Sequence, residues 1–146
     1  MGMHEDSFHL GVKALIFNNE DKLLLLQAKT YWDIPGGRIQ KNESVEEALR
    51  REVCEETGLQ DVFYLHPFMM VLSDVRIATP EGNVGLIYSM HLCRILEDPP
   101  IRLSAEHKDF GWFEVNEAAA LLSTAPAEFT KKLVELRSSF SAENYK

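Results

Sequence analysis

The sequence predicts an α/β fold in which helices cover both faces of a β-sheet. Three features of the 146-residue chain support this prediction. Apolar runs of strand length occupy its beginning and its middle, a capped helical pattern follows the first strands, and a second helical pattern comes late in the chain. Because an early and a late helix flank strand-rich segments, each helix is expected to pack on its own face of the sheet.

The first two strands are predicted from LGVKALIF, residues 10–17, and LLLLQ, residues 23–27. Residues 18–21 supply the turn of a hairpin between them. The four successive leucines indicate a strand buried on both faces, because a half-exposed strand would alternate apolar and polar residues. The segment TYWDIPGGRI then contains a proline and two glycines, which predict an irregular stretch leading into the first helix.

A helix is predicted from Val45 to Thr57. Ser44 and Glu47 form a capping-box pattern at its start, and Gly58 supplies a left-handed residue at its end. At about 100° per residue, the apolar side chains fall on one stripe, which should pack on the core. This stripe comprises Val45, Ala48, Leu49 and Val53.

The segment from Gly37 to Leu59 carries six glutamates, and they divide into groups with different explanations. Glu46 and Glu47 lie in the first helical turn, where acids interact favourably with the positive end of the helix dipole. They point away from the core stripe and are interpreted as part of a solvated face. The remaining glutamates of the segment are Glu43, Glu52, Glu55 and Glu56.

Glu52 and Glu56 fall inside the core stripe and Glu55 on its edge, so repulsion and partial desolvation oppose their ionisation. A cation should compensate for this. Ion pairing is one explanation, since Arg51 is well spaced for Glu55 at i, i+4, but one arginine cannot neutralise three acids. Mg²⁺ commonly joins one or two carboxylates to substrate phosphates and water. The spacing therefore favours a metal site.

The later part of the chain predicts further strands and two helices. Strands are expected at residues 62–75, 84–95 and 110–115, with the turn-rich TPEGN between the first two. A short helix is expected from Asn116, interrupted by Pro126. In the last helix, four apolar residues recur at helical spacing and are expected to pack in the core: Phe129, Leu133, Leu136 and Phe140.

Length and composition predict one globular domain over residues 1–146, with 45% hydrophobic and 26% charged residues. The net charge of −8 and the pI near 5.1 argue against nucleic acid or an anionic membrane as a partner. Because the protein is acidic, a small anionic substrate would then need metal ions to offset the repulsion between them. Cys54 and Cys93 show no metal-binding spacing, and the first residues lack a signal-peptide pattern, so a cytoplasmic location is expected.

The spacing of the glutamate segment also carries a family resemblance. Gly37, Glu43 and the run REVCEETGL at residues 51–59 match every specified position of the Nudix box, nine positions over 23 residues. WDIPGG before the box and EHKDFGWF after it also resemble segments of family members. The chain is therefore identified as resembling Nudix (MutT-like) hydrolases, which implies an α/β/α sandwich around a mixed sheet.

The resemblance implies roles for the residues of the box. Glu52, Glu55 and Glu56 resemble the ligands of Mg²⁺ or Mn²⁺, and Glu52 is also a candidate to orient or deprotonate the attacking water. Arg51 would brace the glutamates, and Glu43 would help to close the box. The physical logic agrees, because divalent ions that neutralise a pyrophosphate chain lower the barrier to attack by several kcal/mol.

Candidates also lie outside the box. Glu106 resembles the downstream glutamate that serves some family members as a metal ligand or general base; a solvated loop position is the alternative. His107, its neighbour, needs no catalytic explanation. Tyr31 and Trp32 could stack on a base or shape the pocket mouth, whereas core packing is equally compatible with Trp32 and a plain surface position with Tyr31.

Subfamily markers guide the substrate prediction. About sixteen residues beyond the box the chain has Val75, Arg76 and Ile77, without the proline typical of ADP-ribose hydrolases or the tyrosine typical of dinucleoside polyphosphate enzymes. No coenzyme A signature is evident. Elimination leaves hydrolysis of nucleoside triphosphates, including oxidised ones, as the leading prediction.

Two alternatives stay open at this point. One is a nucleotide-sugar or ADP-ribose pyrophosphatase, because such markers are imperfect. The other is a Nudix-like domain that binds a nucleotide without cleaving it, although such a domain could lose box carboxylates and this chain retains them all. The sequence allows a homodimer without indicating one.

Overall fold

The computed structural model describes the backbone of residues 4–141 and the side chains of residues 4–136. Its strands are β1 (Phe8–Phe17), β2 (Leu23–Gln27), β3 (Trp32–Asp33), β4 (Gly36–Arg38), β5 (Phe63–Leu72), β6 (Ile77–Thr79), β7 (Gly82–Arg94) and β8 (Asp109–Phe113). Its helices are α1 (Val45–Thr57), α2 (Val115–Leu121) and α3 (Ala127–Ser141). The segment predicted to be irregular contains two short strands, β3 and β4, and the single strand predicted over residues 62–75 ends at Leu72.

The strands form a mixed sheet built around β1. β1 runs parallel to β7 along its whole length, from the pair Phe8↔Gly85 to the pair Phe17↔Arg94, and every other pairing is antiparallel. The strand order β3-β2-β1-β7-β5 is extended by β8 beside β2 and β6 beside β7. The hairpin predicted between the first two strands is confirmed by the pair Phe17↔Leu23.

The other edge of β1 is divided between two strands, and this division positions the candidate site. β2 pairs with the end of β1, whereas β4 pairs with its middle through the register Val12↔Gly37 and Lys13↔Gly36. The glycine-containing segment is thereby fixed beside Lys13, a charged residue within a mostly apolar strand.

Helices cover both faces of this sheet, as the sequence predicted. Alternate residues of β1 divide between two cores, with Val12, Ala14 and Ile16 facing α1 and Leu15 and Phe17 facing α2 and α3. The leucines of β2 divide in the same way and are all fully buried, which confirms a strand covered on both faces. Burial of each such leucine stabilises the fold by about 1.5–3 kcal/mol.

The apolar stripes of the helices are mostly confirmed. Phe129 and Leu133 of α3 are fully buried and Leu136 nearly so; the side chain of Phe140 lies outside the described residues. The prediction for Val45 was wrong, because 36% of this residue is exposed. It is the first residue of α1, and helical side chains tilt towards the N-terminus, so Val45 extends past the end of the packed stripe.

Candidate active site

Helix α1 has the bounds that its sequence predicted because both ends are fixed by local hydrogen bonds. The Ser44 hydroxyl accepts from the Glu47 N–H at 3.1 Å, and the Glu47 carboxylate accepts from the Ser44 N–H at 2.8 Å. At the other end Gly58 has φ 77°, and its N–H donates to the Cys54 carbonyl at 2.9 Å. The buried Ala48 and Val53 then fix the rotation of the helix, so that Glu52 and Glu56 lie towards β4.

Arg51 is the centre of an ion-pair network around these glutamates. Its guanidinium donates to both oxygens of Glu43, to Oε1 of Glu52 at 2.6 Å and to the Arg38 carbonyl at 3.1 Å. The pairing with Glu55, expected from the i, i+4 spacing, is longer at 3.4 Å. Arg51 therefore braces Glu43 and Glu52 more closely than Glu55, and 56% of the Glu55 side chain stays exposed.

Glu43 closes the loop that precedes the helix. Its Oε1 also accepts from the Gln40 N–H at 2.8 Å. The Arg51 guanidinium and this N–H together hold the pKa of Glu43 below its ordinary value. Charge-assisted bidentate pairs of this kind give geometric specificity as well as stabilisation.

Glu52 is fixed between Arg51 and β4. A Cβ atom built on Gly37 would lie 2.5 Å from both Cδ and Oε2 of Glu52. Glycine at position 37 therefore permits the close approach of the Glu52 carboxylate to the strand. No larger residue fits without moving that carboxylate.

Glu56 is the buried member of the group, with 7% of the residue exposed. Its Oε1 accepts from the Gly36 N–H at 2.8 Å. Burial raises the pKa of Glu56 to about 7, although Gly36 and the Lys13 ammonium act to lower it; repulsion from Glu52 and Glu106 adds to the rise. In the absence of a metal ion, this carboxyl group therefore titrates near neutral pH.

Lys13 is a buried cation beside the same segment, with 7% of the residue exposed. Its Nζ donates to Oδ2 of Asp33 at 3.0 Å and to the Ile34 carbonyl at 3.1 Å, and lies 4.8 Å from the centre of the Tyr88 ring. Burial alone would lower the pKa of Lys13, but Asp33, Tyr88 and Glu56 raise it above its ordinary value. Lys13 is thus held as a charged group that interacts with Glu56 and lines the adjacent cavity.

A cavity of about 340 Å³ opens beside Lys13. Its apolar lining includes Ile34, Val71, Met90 and Phe129, and its polar lining includes Lys13, Asp33, Asp74 and the tyrosines Tyr31 and Tyr88. Mostly apolar walls with a few polar groups are typical of small-molecule sites. A larger hollow of about 550 Å³ lies at the C-terminal end of α1, between residues 58–63 and 95–102, and contains none of the predicted site residues.

The loop before β8 brings Glu106 towards the box. Glu106 is exposed, yet its charge contributes to the raised pKa of Glu56. His107 is half-buried, and its pKa is lowered by burial while Glu106 and Asp33 oppose that shift. Among the described residues its buried Nδ1 has no hydrogen-bond partner.

The chain is similar to proteins of one known family. The family model described as the NUDIX domain matches residues 7–133, which is most of the chain. The chain belongs to the Nudix family. This match includes every box residue and the loop containing Glu106.

Similar proteins agree with the family assignment. Over 92 residues, or 60% of this chain, it is 33% identical to the nucleoside triphosphatase NudI of Salmonella paratyphi B. Over 50 residues, or 33% of this chain, it is 44% identical to a Bacillus subtilis protein named for 8-oxo-dGTP diphosphatase activity. The matches span 64% and 34% of those relatives, respectively.

Solved structures confirm the fold. The MutT protein of Methanosarcina mazei Go1 superposes with a TM-score of 0.70 and 27% identity, covering 97% of this chain and 99% of that one. The expected α/β fold around a mixed sheet is thereby confirmed. In the part of the chain that the structure describes, no helix is both long and apolar enough to span a membrane.

The Nudix box residues fit a divalent metal in donor chemistry, and Nudix hydrolases generally use such metals. Three carboxylates come from two adjacent turns of one helix, and the gap that Gly37 leaves lets Glu52 lie against β4. Within residues 4–136, no group of three acid, His or Cys side chains is already arranged around one point. Arg51 binds one oxygen each of Glu52 and Glu55, and the Gly36 N–H binds one oxygen of Glu56, so each carboxylate keeps its second oxygen for a metal.

The two aromatic candidates of the sequence lie in different places. The Trp32 ring packs edge-on against Phe113, with 5.1 Å between ring centroids, and contacts the core on the α3 side. Core packing is therefore the interpretation that the structure supports for Trp32. Tyr31 is 41% exposed and lines the cavity, so it is available to a bound molecule.

Lys13 and Asp33 were not predicted from the sequence as site residues. The signal for Lys13 was a single charge within the apolar strand LGVKALIF, since a lysine on a buried strand requires a partner. Asp33 gave no comparable signal, because its pairing with Lys13 joins residues 20 positions apart.

We expect Gly37→Ala to lower kcat/KM of the Nudix reaction by about a hundredfold, because the new methyl group displaces the Glu52 carboxylate and small misplacements carry costs of this order. The Mg²⁺-induced rise in Tm should shrink in parallel. Steady-state kinetics and thermal unfolding with and without Mg²⁺ measure both effects. Unchanged kinetics would show that Glu52 need not lie against β4.

Proposed function

We propose that this chain hydrolyses a pyrophosphate bond of a nucleoside triphosphate in the presence of Mg²⁺, for which Mn²⁺ can substitute. The observation that carries the proposal is the buried Glu56, which lies with Glu52 and Glu55 on the Arg51-braced helix α1 and interacts with Lys13, a residue that lines a cavity of nucleoside size. Buried carboxylates that repel one another call for a cation. The names of the NudI and Bacillus subtilis relatives support the same substrate class.

The metal ligands in this proposal are Glu52, Glu55 and Glu56. When bound, the metal supplies neutralisation of the phosphate oxygens and a more acidic water. Arg51 keeps Glu52 in one orientation, and Glu52 in turn orients or deprotonates the attacking water. The Gly36 N–H holds one oxygen of Glu56, so its second oxygen is free to turn towards a ligand.

The cavity beside Lys13 accepts the nucleoside in this proposal. Ile34, Val71 and Met90 offer apolar contact to a planar base, and Tyr31 at its edge offers a stacking surface. Gly36, which binds Glu56, follows Asp33 by three residues. Three residues span at most about 11 Å, so a base in the cavity places its phosphates near the box.

The test is product identity from a panel of nucleoside triphosphates, nucleotide sugars and ADP-ribose, with and without Mg²⁺. Mg²⁺-dependent release of pyrophosphate from a triphosphate supports the proposal. Cleavage of a linked diphosphate into two monophosphates would replace it by a nucleotide-sugar or ADP-ribose pyrophosphatase. Binding without turnover across the panel would indicate a non-catalytic nucleotide-binding domain.

We expect Glu106→Gln to lower kcat by about tenfold to a hundredfold, because a positioned acid or base typically contributes at least this much. Its exposed position near Glu56 leaves its carboxylate accessible to substrate or metal. Glu97→Gln is the matched control, since Glu97 is an exposed acid earlier in the same connection between β7 and β8. Equal rates for the two variants would assign Glu106 to an ordinary solvated loop.

The remaining sequence predictions concern the protein as a whole. We propose that the chain acts as one Nudix domain, as the match over residues 7–133 supports. The acidic charge continues to predict a nucleotide rather than a nucleic acid as partner. A cytoplasmic location and a homodimer stay predictions.

A further inference from the structure

We propose that two copies of this chain associate by antiparallel pairing of β5 with β5 across a two-fold axis. The inference goes beyond the proposed function and does not depend on it. Three observations support it: β5 is an edge strand without charged side chains, backbone groups of its second half face outward, and the side chains beside those groups are apolar and exposed.

β5 is a long, uncharged edge of the sheet. In the described part of the chain it pairs with β7 on one side only. Its ten residues, FYLHPFMMVL, include no Asp, Glu, Lys or Arg. Natural proteins commonly protect edge strands by making them short or by placing charges on them. The opposite edge is protected in this way, since β8 has five residues, begins with Asp109 and lies between Lys108 and Glu114.

The regular part of the β5 edge is its second half. Both register shifts in the pairing with β7 lie before Met69, and the second of them begins at Pro67. From Met69 to Leu72 the pairing is continuous. Proline and bulges hinder the addition of another strand, so they protect the first half of β5 and leave the second half available for pairing.

The backbone groups of Met70 and Leu72 face away from β7. The Ser73 N–H donates to the Leu86 carbonyl at 2.9 Å, so the backbone groups of Ser73 face β7. Backbone groups alternate in direction along an antiparallel strand, and the register is continuous over this segment. The N–H and C=O groups of Met70 and Leu72 therefore point outward, where another strand can pair with them.

The side chains around this edge form an apolar surface. Met70 and Leu72 lie on the same face of the sheet and are 61% and 55% exposed. Leu72 pairs with Ile87, which pairs with Leu10, and both of these residues are only half-buried. Val75 follows in the next loop and is 62% exposed. A contiguous apolar surface of this kind marks an interaction site, whereas single exposed apolar residues do not.

Charge and symmetry favour a second copy of the chain as the partner. The net charge of −8 makes two copies repel each other, so contact is most favourable where neither copy carries a charge. Antiparallel pairing of a strand with itself is an isologous contact, which covers both free edges and ends at two chains. The register that uses all the outward-facing groups of the regular segment places Met70 of one copy opposite Leu72 of the other.

The experiment measures molecular mass by sedimentation equilibrium over about a hundredfold range of protein concentration, because self-association depends on concentration. For the wild-type protein we expect the mass to rise from one chain of 16.7 kDa to two chains and no further. Met70→Lys should weaken association by about a hundredfold, because each dimer then places two unpaired ammonium groups against apolar side chains. Val134→Lys is the matched control, since Val134 lies on α3 and is 40% exposed.

A double variant tests the register. Leu72→Glu alone should weaken association as Met70→Lys does. Combining Met70→Lys with Leu72→Glu in one chain should restore it, because each introduced ammonium group then lies opposite a carboxylate of the other copy. Circular dichroism of each variant checks that the fold is kept. If the double variant associates no better than the single variants, the proposed register is wrong.

Hydrogen exchange of the wild-type protein gives a measurement that requires no substitution. The amide hydrogens of Met70 and Leu72 should exchange more slowly as protein concentration rises, because pairing places them in hydrogen bonds between the two copies. The amide hydrogens of β8, at the opposite edge, should exchange at the same rate at every concentration.

The outcomes separate the possible partners of this edge. A mass of one chain at every concentration overturns the proposal and leaves the edge to a strand of another protein. A dimer that Met70→Lys leaves unchanged also overturns it, because the contact then lies elsewhere. A mass that rises beyond two chains overturns the closed two-fold contact and indicates open aggregation. None of these measurements involves hydrolysis, so failure of this proposal leaves the proposed function standing.

Discussion

Replacing Glu56 with glutamine is expected to lower kcat of triphosphate hydrolysis by about 10²- to 10³-fold, because a ligand charge that supports several kcal/mol of transition-state stabilisation is removed. The fold should persist, since the glutamine carbonyl oxygen can still accept from the Gly36 N–H. Steady-state kinetics, together with circular dichroism of the purified variant, test both statements.

The same substitution should stabilise the metal-free protein above neutral pH. Burial raises the pKa of Glu56 from 4.5 to about 7, so between these values the folded state binds more protons than the unfolded state. The free energy of unfolding therefore falls as pH rises through this window, by about 3 kcal/mol in total. Glu56→Gln removes this loss. The free energy of unfolding of the variant should therefore exceed that of the wild type by an amount that grows from pH 4 to pH 8.

In the presence of Mg²⁺, the wild-type protein should be more stable than Glu56→Gln. A metal that binds only the folded state raises its stability by mass action, and the wild-type protein has the full set of ligands. Chemical denaturation at pH 4 and pH 8, with EDTA or Mg²⁺, measures all four cases. Glu46→Gln is the control, because Glu46 lies on the solvated face of α1 and pairs with Arg50. Wild-type turnover by Glu56→Gln would refute the metal site.

Replacing Arg51 with lysine should lower kcat/KM by about a hundredfold or more, although the charge is retained. The guanidinium donates simultaneously to Glu43, Glu52 and the Arg38 carbonyl, and an ammonium cannot reproduce that planar arrangement. Glu52 would then lose its fixed orientation. The loss should fall mainly on kcat, because Arg51 acts on the ligand set and does not line the cavity.

Arg51→Ala should lower both the stability and the rate more than Arg51→Lys does. It leaves Glu43 and Glu52 without their common cation, so Tm should fall by several degrees in the absence of Mg²⁺. Arg50→Ala is the matched control, since Arg50 is exposed and pairs only at the surface with Glu46 among the acids of α1. Equal kinetics for Arg50→Ala and Arg51→Lys would contradict the bracing role.

Elements stabilised by local interactions were predictable residue by residue. Both ends of α1 were predicted correctly because Ser44, Glu47 and Gly58 act on backbone groups within one turn. The fully buried β2 was predictable because four leucines leave no polar face. The orientation of Glu52 and Glu56 towards the sheet followed from helical periodicity alone.

The surroundings of each face of helix α1 were less predictable. Val45 matched the apolar stripe of α1, but as the first residue of the helix it lies past the end of the packed stripe and is exposed. The expected pair of Arg51 with Glu55 is present, but the closer partner of Arg51 is Glu43 in the preceding loop, eight residues away. Periodicity describes the face of a helix and gives no information about what lies opposite that face.

The sequence by itself determined the family, the capped helix and the set of carboxylates, because these depend on residue types at fixed short spacings. Only the tertiary structure placed Lys13 beside Asp33 and Glu56, and the cavity beside them. The reason is physical: β1 pairs with both β2 and β4, and this division depends on long-range strand register. Register is fixed by the burial of both sheet faces together, which no single segment encodes.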